Sequence, residues 1–268
     1  MATAAHLTRY ASQDVTLLGD ARRPGGVTLA FTERTGGVSK APFTSLNLGA
    51  DCGDSERDVL ANRRLVLDAL GVGELAGRLV NPLQVHGTTV VTIDSAAPDD
   101  VASARRLARE GADAIVCTAA DVPVLLCYAD CVPVILAATG GFAVVHSGWR
   151  GTIGRISQKA TEELCRETGC EPSELVAHIG PHIGRDDYEV SADLAERFVA
   201  SFGQEVAPDG RHLDLGLAVR KTLIESGINS EAIGDELPST ASCTDRFYSY
   251  RAEGGKCGRH GAIAVLHA

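Results

Sequence analysis

Residues 113–151, DAIVCTAADVPVLLCYADCVPVILAATGGFAVVHSGWRG, decide how this chain folds. Two runs within the stretch, 132–137 and 141–145, are β-branched and aliphatic, carry no charge and are separated by the turn-forming ATGG. They are expected to pair as a hairpin. If Thr139-Gly140 forms a two-residue turn, or ATGG a four-residue loop, position 133 lies opposite position 146, because paired positions in an antiparallel ladder sum to a constant. Cys131 then shares a face with His146 as a diagonal neighbour at about 7 to 8 Å, from which a thiolate and an imidazole can converge on one metal ion. A Gly140-Gly141 turn shifts the register by two and carries Cys131 out of reach.

Around this hairpin the pattern alternates between strand and helix. A strand is expected over 27–32, followed by a long loop, ERTGGVSKAPFTSLNLGADCGD, dense in Gly, Ser, Thr and Asn. Compact domains seldom leave so much chain irregular unless it is functional or mobile. Helical periodicity covers 54–70 and ends at Gly71. Strands are expected over 79–85 and 89–93, flanking QVHG, which puts His86 at a strand end beside a glycine. A surface helix follows over 99–109 and a strand at 114–117. Beyond HSGWRG a helix is expected over 152–166, with Ile153, Ile156, Ala160 and Leu164 facing inward. Its start, next to Arg150, suits an anion. A strand at 175–179, helices at 192–202 and 213–225, and a final strand at 262–266 complete the chain. Residues 1–25 read as a partly disordered or weakly extended N-terminal extension before a single domain over 26–268.

Composition narrows the function classes. With 268 residues and 44% hydrophobic content the chain can bury a large core. A net charge of -10 without a lysine and arginine cluster argues against nucleic acid or an anionic membrane as partner and favours a small molecule. No segment approaches the length of a bilayer-spanning helix and none near the start has signal-peptide character, so a cytoplasmic location is expected. The eight cysteines have no framework spacing and are expected to be reduced thiols.

His86, Cys131 and His146 form the leading chemical group. Three nitrogen and sulfur ligands with a fourth position left for water suit catalytic zinc. Read without a metal, Cys131 is a small buried residue and each histidine a polar strand-end group. The gap of 45 residues between His86 and Cys131 matches no short metal signature. Asp130 points away from Cys131 in a regular strand, although a bend would bring it to the site as a carboxylate orienting a histidine or as a proton shuttle; structural capping is an equal alternative. Arg34, Asn47, Arg63 and Arg150 are candidates for holding an anionic co-substrate, although each taken alone reads rather as a surface or loop-stabilising residue. His178 and His182 have HxxxH spacing, but Gly180 and Pro181 between them break a helix. Trp149 reads as a packing anchor or a cleft wall.

QVHG, YADCVPVIL, VVHSGWRG, IGPHIGRDDYEV, CTDRFYSYR and GRHG together resemble the bacterial YfiH-type family over about residues 27 to 267. Its members are described as purine nucleoside phosphorylases and are also filed as laccase-domain or polyphenol oxidase proteins and as peptidoglycan editing factors. The resemblance implies an α+β fold of CNF/YfiH type, mixed β-sheets packed together with helices outside. It implies zinc on His86, Cys131 and His146, with Arg34, Asn47 and Arg63 in loops that line the pocket. GRDDYEV departs from many relatives, which carry a second proline and a cysteine or histidine where Arg185 and Asp186 stand here. The implied activities are phosphate-dependent cleavage of adenosine, inosine, guanosine and methylthioadenosine, and deamination of adenosine. A monomer is expected, independently of the resemblance.

The laccase label fits the residues poorly. A multicopper oxidase needs about ten histidines, largely in HxH pairs. This chain has eight and no HxH, so copper is expected only as an adventitious substitute for zinc. Two further readings use the same residues: a peptidoglycan-precursor hydrolase with Cys131 as nucleophile and His146 as base, and a non-enzymatic interaction module folded around a metal. A structural metal would be closed by four protein ligands, and the absent fourth speaks for catalysis.

Overall fold

The computed structural model describes residues 4–235 and 237–268. At its centre, β7 (Val132–Ala138) and β8 (Gly141–Ser147) form the expected hairpin, turning at Thr139-Gly140 with Pro133 opposite His146. Every residue of both strands is buried. Their near-continuous apolar character follows from that, because both faces are covered. Val134, Leu136, Ala143 and Val145 face one core, while Ile135, Ala137, Phe142 and Val144 face another.

The hairpin belongs to a mixed sheet in the order β10-β9-β7-β8-β5-β4. Its other strands are β4 (Val90–Ile93), β5 (Ala114–Cys117), β9 (Val176–Ile179) and β10 (Ile233–Gly234). A second, antiparallel sheet runs β1-β2-β3-β11-β6, from β1 (Thr8–Ser12), β2 (Val15–Gly19), β3 (Val27–Thr32), β6 (Val124–Tyr128) and β11 (His260–Leu266). Strand alternation assembles the layers. Leu29, Phe31, Leu126, Tyr128, Ala262 and Ala264 fill the space between the sheets with Ile135 and Val144. Ala30, Leu125, Ile263 and Val265 face outward onto Val66 and Leu67 of α1 (Glu56–Ala69). The free face of the mixed sheet is covered by α4 (Ile156–Thr168), α5 (Ala192–Phe202) and α6 (Leu215–Glu225), while α2 (Pro98–Gly111) contributes Val101, Ala104 and Ala108 to the inter-sheet core. The fold is α+β, with two sheets packed together and helices outside.

Three expectations are corrected. Residues 8–19 are a hairpin rather than a loose extension: Gln13 and Asp14 adopt left-handed conformations in a two-residue turn, and Val15, Leu17 and Leu18 are buried against the sheet. Residues 79–85 form no strand beyond a single bridge between Val80 and Val124. Pro82 cannot donate to a ladder, and side-chain amides replace the backbone: Asn81 donates to the Leu125 carbonyl at 2.8 Å, and Gln84 accepts from the Cys127 amide and donates to its carbonyl, both at 2.8 Å. The helix expected over 152–166 is broken into α3 (Trp149–Ile153) and α4, with Arg155 in the left-handed region between them.

Candidate active site

Position 146 has the parity of Phe142 and Val144, and position 131 that of Ile135 and Ala137. Cys131 and His146 therefore lie where the space between the sheets opens at the end of the hairpin. The loop before β4 adds His86. The ligand atoms of His86, Cys131 and His146 all lie within 4.8 Å of one another. Atoms bound tetrahedrally to zinc stand roughly 3.3–3.8 Å apart, so small side-chain rotations would close this set on an ion.

One buried carboxylate, absent from the sequence-based candidates, organises the group. Asp113, just before β5, accepts the amide hydrogens of Val85, His86 and Gly87 at 3.2, 2.9 and 2.6 Å. These bonds hold His86 in a left-handed conformation, with φ of 59°. Asp113 Oδ1 also lies 2.7 Å from His146 Nδ1. A proton on Nδ1 leaves Nε2 with its lone pair for a metal. Burial opposes ionisation of Asp113, but His146 and the backbone donors together hold its carboxyl below the usual range.

Electrostatics support a cation at this position. Burial alone would push the Cys131 thiol up, yet His146 and His86 bring it down to about 6. Burial likewise opposes a charge on His146, while Cys131 and Asp113 raise that imidazole to about 9. A thiolate and two histidine nitrogens form a donor set suited to zinc. Gly148 leaves the space above them clear: a Cβ there would stand 3.0 Å from His86 Cδ2, 3.1 Å from Cys131 Sγ and 3.8 Å from His146 Cε1.

The three side chains line a cavity of about 640 Å³, within the usual range for small-molecule sites. The other predicted residues lie elsewhere or serve as ties. Asp130 lines the cavity, with φ of 91°, but Thr240 Oγ1 and the Arg251 amide each donate to its carboxylate at 2.7 Å. It fastens the cavity wall, and Asp113 is the carboxylate that orients a histidine.

Arg34, Asn47, Arg63 and Arg150 are not in the cavity wall. Arg34 pairs with Glu253 at 3.0 Å and donates to the Thr244 carbonyl. Asn47 is buried and accepts from the Arg259 amide, and Arg63 donates to the Leu48 carbonyl and to Asn81. Arg150 lies over the Trp149 ring, 4.4 Å from its centroid. His178 and His182 turn to separate partners, Asp20 and the Gly180 carbonyl. The walls are instead supplied by Asn81, Gln84, Tyr188, Tyr250, Arg251 and Arg259. Of these, Arg259 directly follows Gly258 in GRHG, a placement the sequence displays, whereas Tyr188 stands four residues after Gly184 with no local mark.

Comparison with known proteins matches residues 28–267 to a family described as multi-copper polyphenol oxidoreductase laccase. A purine nucleoside phosphorylase of Deinococcus radiodurans is 37% identical over 242 residues, covering 88% of each chain. The adenosine deaminase RL5, from an unknown prokaryotic organism, is 32% identical over 240 residues, 86% of this chain and 90% of that protein. The crystal structure of YlmD from Geobacillus stearothermophilus superposes with a TM-score of 0.84 at 29% identity, covering 99% of this chain and 100% of that one.

Proposed function

This chain belongs to the family described as multi-copper polyphenol oxidoreductase laccase, and we propose that it is a zinc-dependent purine nucleoside phosphorylase that also deaminates adenosine. The observation that carries the reading is the convergence of His86, Cys131 and His146 within 4.8 Å at a cavity of nucleoside size. The relatives' names, phosphorylase and adenosine deaminase, supply the reaction class. Among the described residues no second group of three ligating side chains accompanies this one, which speaks for a single metal position rather than a copper cluster.

In this reading His86, Cys131 and His146 hold the ion, and Asp113 keeps the His146 proton on Nδ1. A bound zinc ion would supply Lewis acidity at the end of the cavity. Asp130 would keep the wall carrying Arg251 closed over the substrate. The expected substrates are adenosine, inosine, guanosine and methylthioadenosine, with phosphate as co-substrate.

A second reading rests on a specific arrangement. Cys131, His146 and Asp113 stand in the order nucleophile, base and orienting carboxylate, and the thiol is already lowered to about 6. Without a metal they would suit a hydrolase acting on peptidoglycan precursors. Chromatography of adenosine and inosine incubated with and without phosphate, beside Cys131→Ala, separates the two. Phosphate-dependent release of adenine or hypoxanthine supports the phosphorylase. No turnover of either nucleoside, by protein that hydrolyses a cell-wall precursor without metal, sinks it.

A further inference from the structure

The geometry points to an oxyanion subsite at Arg251 and Arg259, which we assign to inorganic phosphate; this deepens the phosphorylase reading and rests on it. Both arginines line the cavity that holds His86, Cys131 and His146. Among the described residues neither meets a carboxylate within 4.0 Å, although the chain carries a net charge of -10. The cavity's own acids are already engaged: Asp51 with Arg109 at 3.2 Å, and Asp130 with Thr240 and the Arg251 amide. Two arginines without a carboxylate partner within 4.0 Å therefore line the space where a small molecule would sit.

Arg259 is held as a fixed donor. Its Nη1 donates to the Cys257 and Gly258 carbonyls at 2.7 and 2.8 Å, and its amide donates to Asn47. Its stem lies so close to Gly49 that a Cβ there would meet Arg259 Cγ at 2.6 Å. Nε and Nη2 make no hydrogen bond to the described residues, which leaves one edge of the guanidinium for a bidentate acceptor. Arg251 is tied by Nη2 to the Glu189 carbonyl at 3.0 Å and lies over the Tyr188 ring at 5.2 Å, while Arg259 lies 5.8 Å from the centre of the Tyr250 ring. Both rings also line the cavity, so the cations are steered without being neutralised.

The same chemistry would accept a phosphate ester carried by a nucleotide, and the test separates the two sources. Binding of inorganic phosphate to the zinc-loaded protein is followed by calorimetry, and steady-state phosphorolysis of inosine gives separate KM values for phosphate and nucleoside. Arg251→Gln and Arg259→Gln are each expected to weaken phosphate, in binding and in KM, by about tenfold or more, since each removes a charge-assisted bond. The nucleoside KM should change far less, and Arg259→Lys should recover part of the loss. Metal content and melting temperature report whether each variant folds, and the rim position of Arg251 keeps one variant clear of the Asn47 contact.

Unchanged phosphate affinity in both folded Gln variants would overturn the subsite while leaving phosphorolysis intact. Inosine monophosphate binding more tightly than inosine, and competing with phosphate, would overturn the assignment to free phosphate. Phosphate binding that depends on the arginines in a protein that does not cleave inosine would retain the subsite and remove the phosphorylase reading.

Discussion

Asp113 Oδ1 lies 2.7 Å from His146 Nδ1 and 2.9 Å from the His86 amide nitrogen, so one buried atom fixes a ring of one candidate ligand and the backbone of another. The third candidate, Cys131, is set by the hairpin register that pairs Pro133 with His146. The candidate centre is thus built from strand geometry and a single carboxylate.

Asp113→Asn preserves the shape but turns an amide NH2 toward backbone donors or toward His146. Metal affinity is expected to fall about 10- to 100-fold. Competition against a chelator measures it, and an unchanged affinity would show that Asp113 merely shapes the loop.

Gly148→Ala places a methyl group within 3.1 Å of both His86 and Cys131. Gly148 has an ordinary φ of -75°, so the conflict is one of space and not of backbone strain. Loss of bound metal with a near-native melting temperature is the expected result; equal loss of fold and metal would contradict it.

Gln84→Met removes both bonds that the side chain makes to the backbone of Cys127. Leaving those backbone groups unpaired should cost about 1–3 kcal/mol in chemical denaturation. Gln84→Glu retains the acceptor and should lose less.

Glu33 is almost fully buried and accepts hydrogen bonds from Arg9 and Arg246. Burial would raise its carboxyl, but the two arginines outweigh that and hold it below its ordinary value of 4.5. A lowered folded value means that its stabilisation is complete above about 4.5 and is lost as pH falls through the folded value. The stability difference between the wild type and Glu33→Gln should therefore be flat near neutrality and shrink in acid. A difference that grows on acidification would contradict the assignment.

The β7–β8 hairpin was legible because two uncharged runs flank a short turn, and its register alone put Cys131 and His146 on one face. Asp113 was not, since its partners lie 26 to 33 residues away and nothing local marks a carboxylate before an apolar strand as a ligand holder. Arg34, Asn47 and Arg63 are candidates because their segments match the pocket loops of the resembled family and guanidinium groups suit an anion; here their bonds reach Thr244, Arg259 and Asn81, long-range ties that spacing does not reveal. Residues 79–85 had strand composition, yet Pro82 and two side-chain amides replaced the ladder. The first hairpin was obscured because β1 is largely exposed and lacks an apolar face.

The most direct test of the account is to strip the protein of metal and follow inosine cleavage in phosphate as zinc is added back. Recovery in proportion to zinc, saturating at about one ion per chain and absent in Cys131→Ala, is the predicted result. Full cleavage by the metal-free protein, or equal recovery in Cys131→Ala, would contradict it.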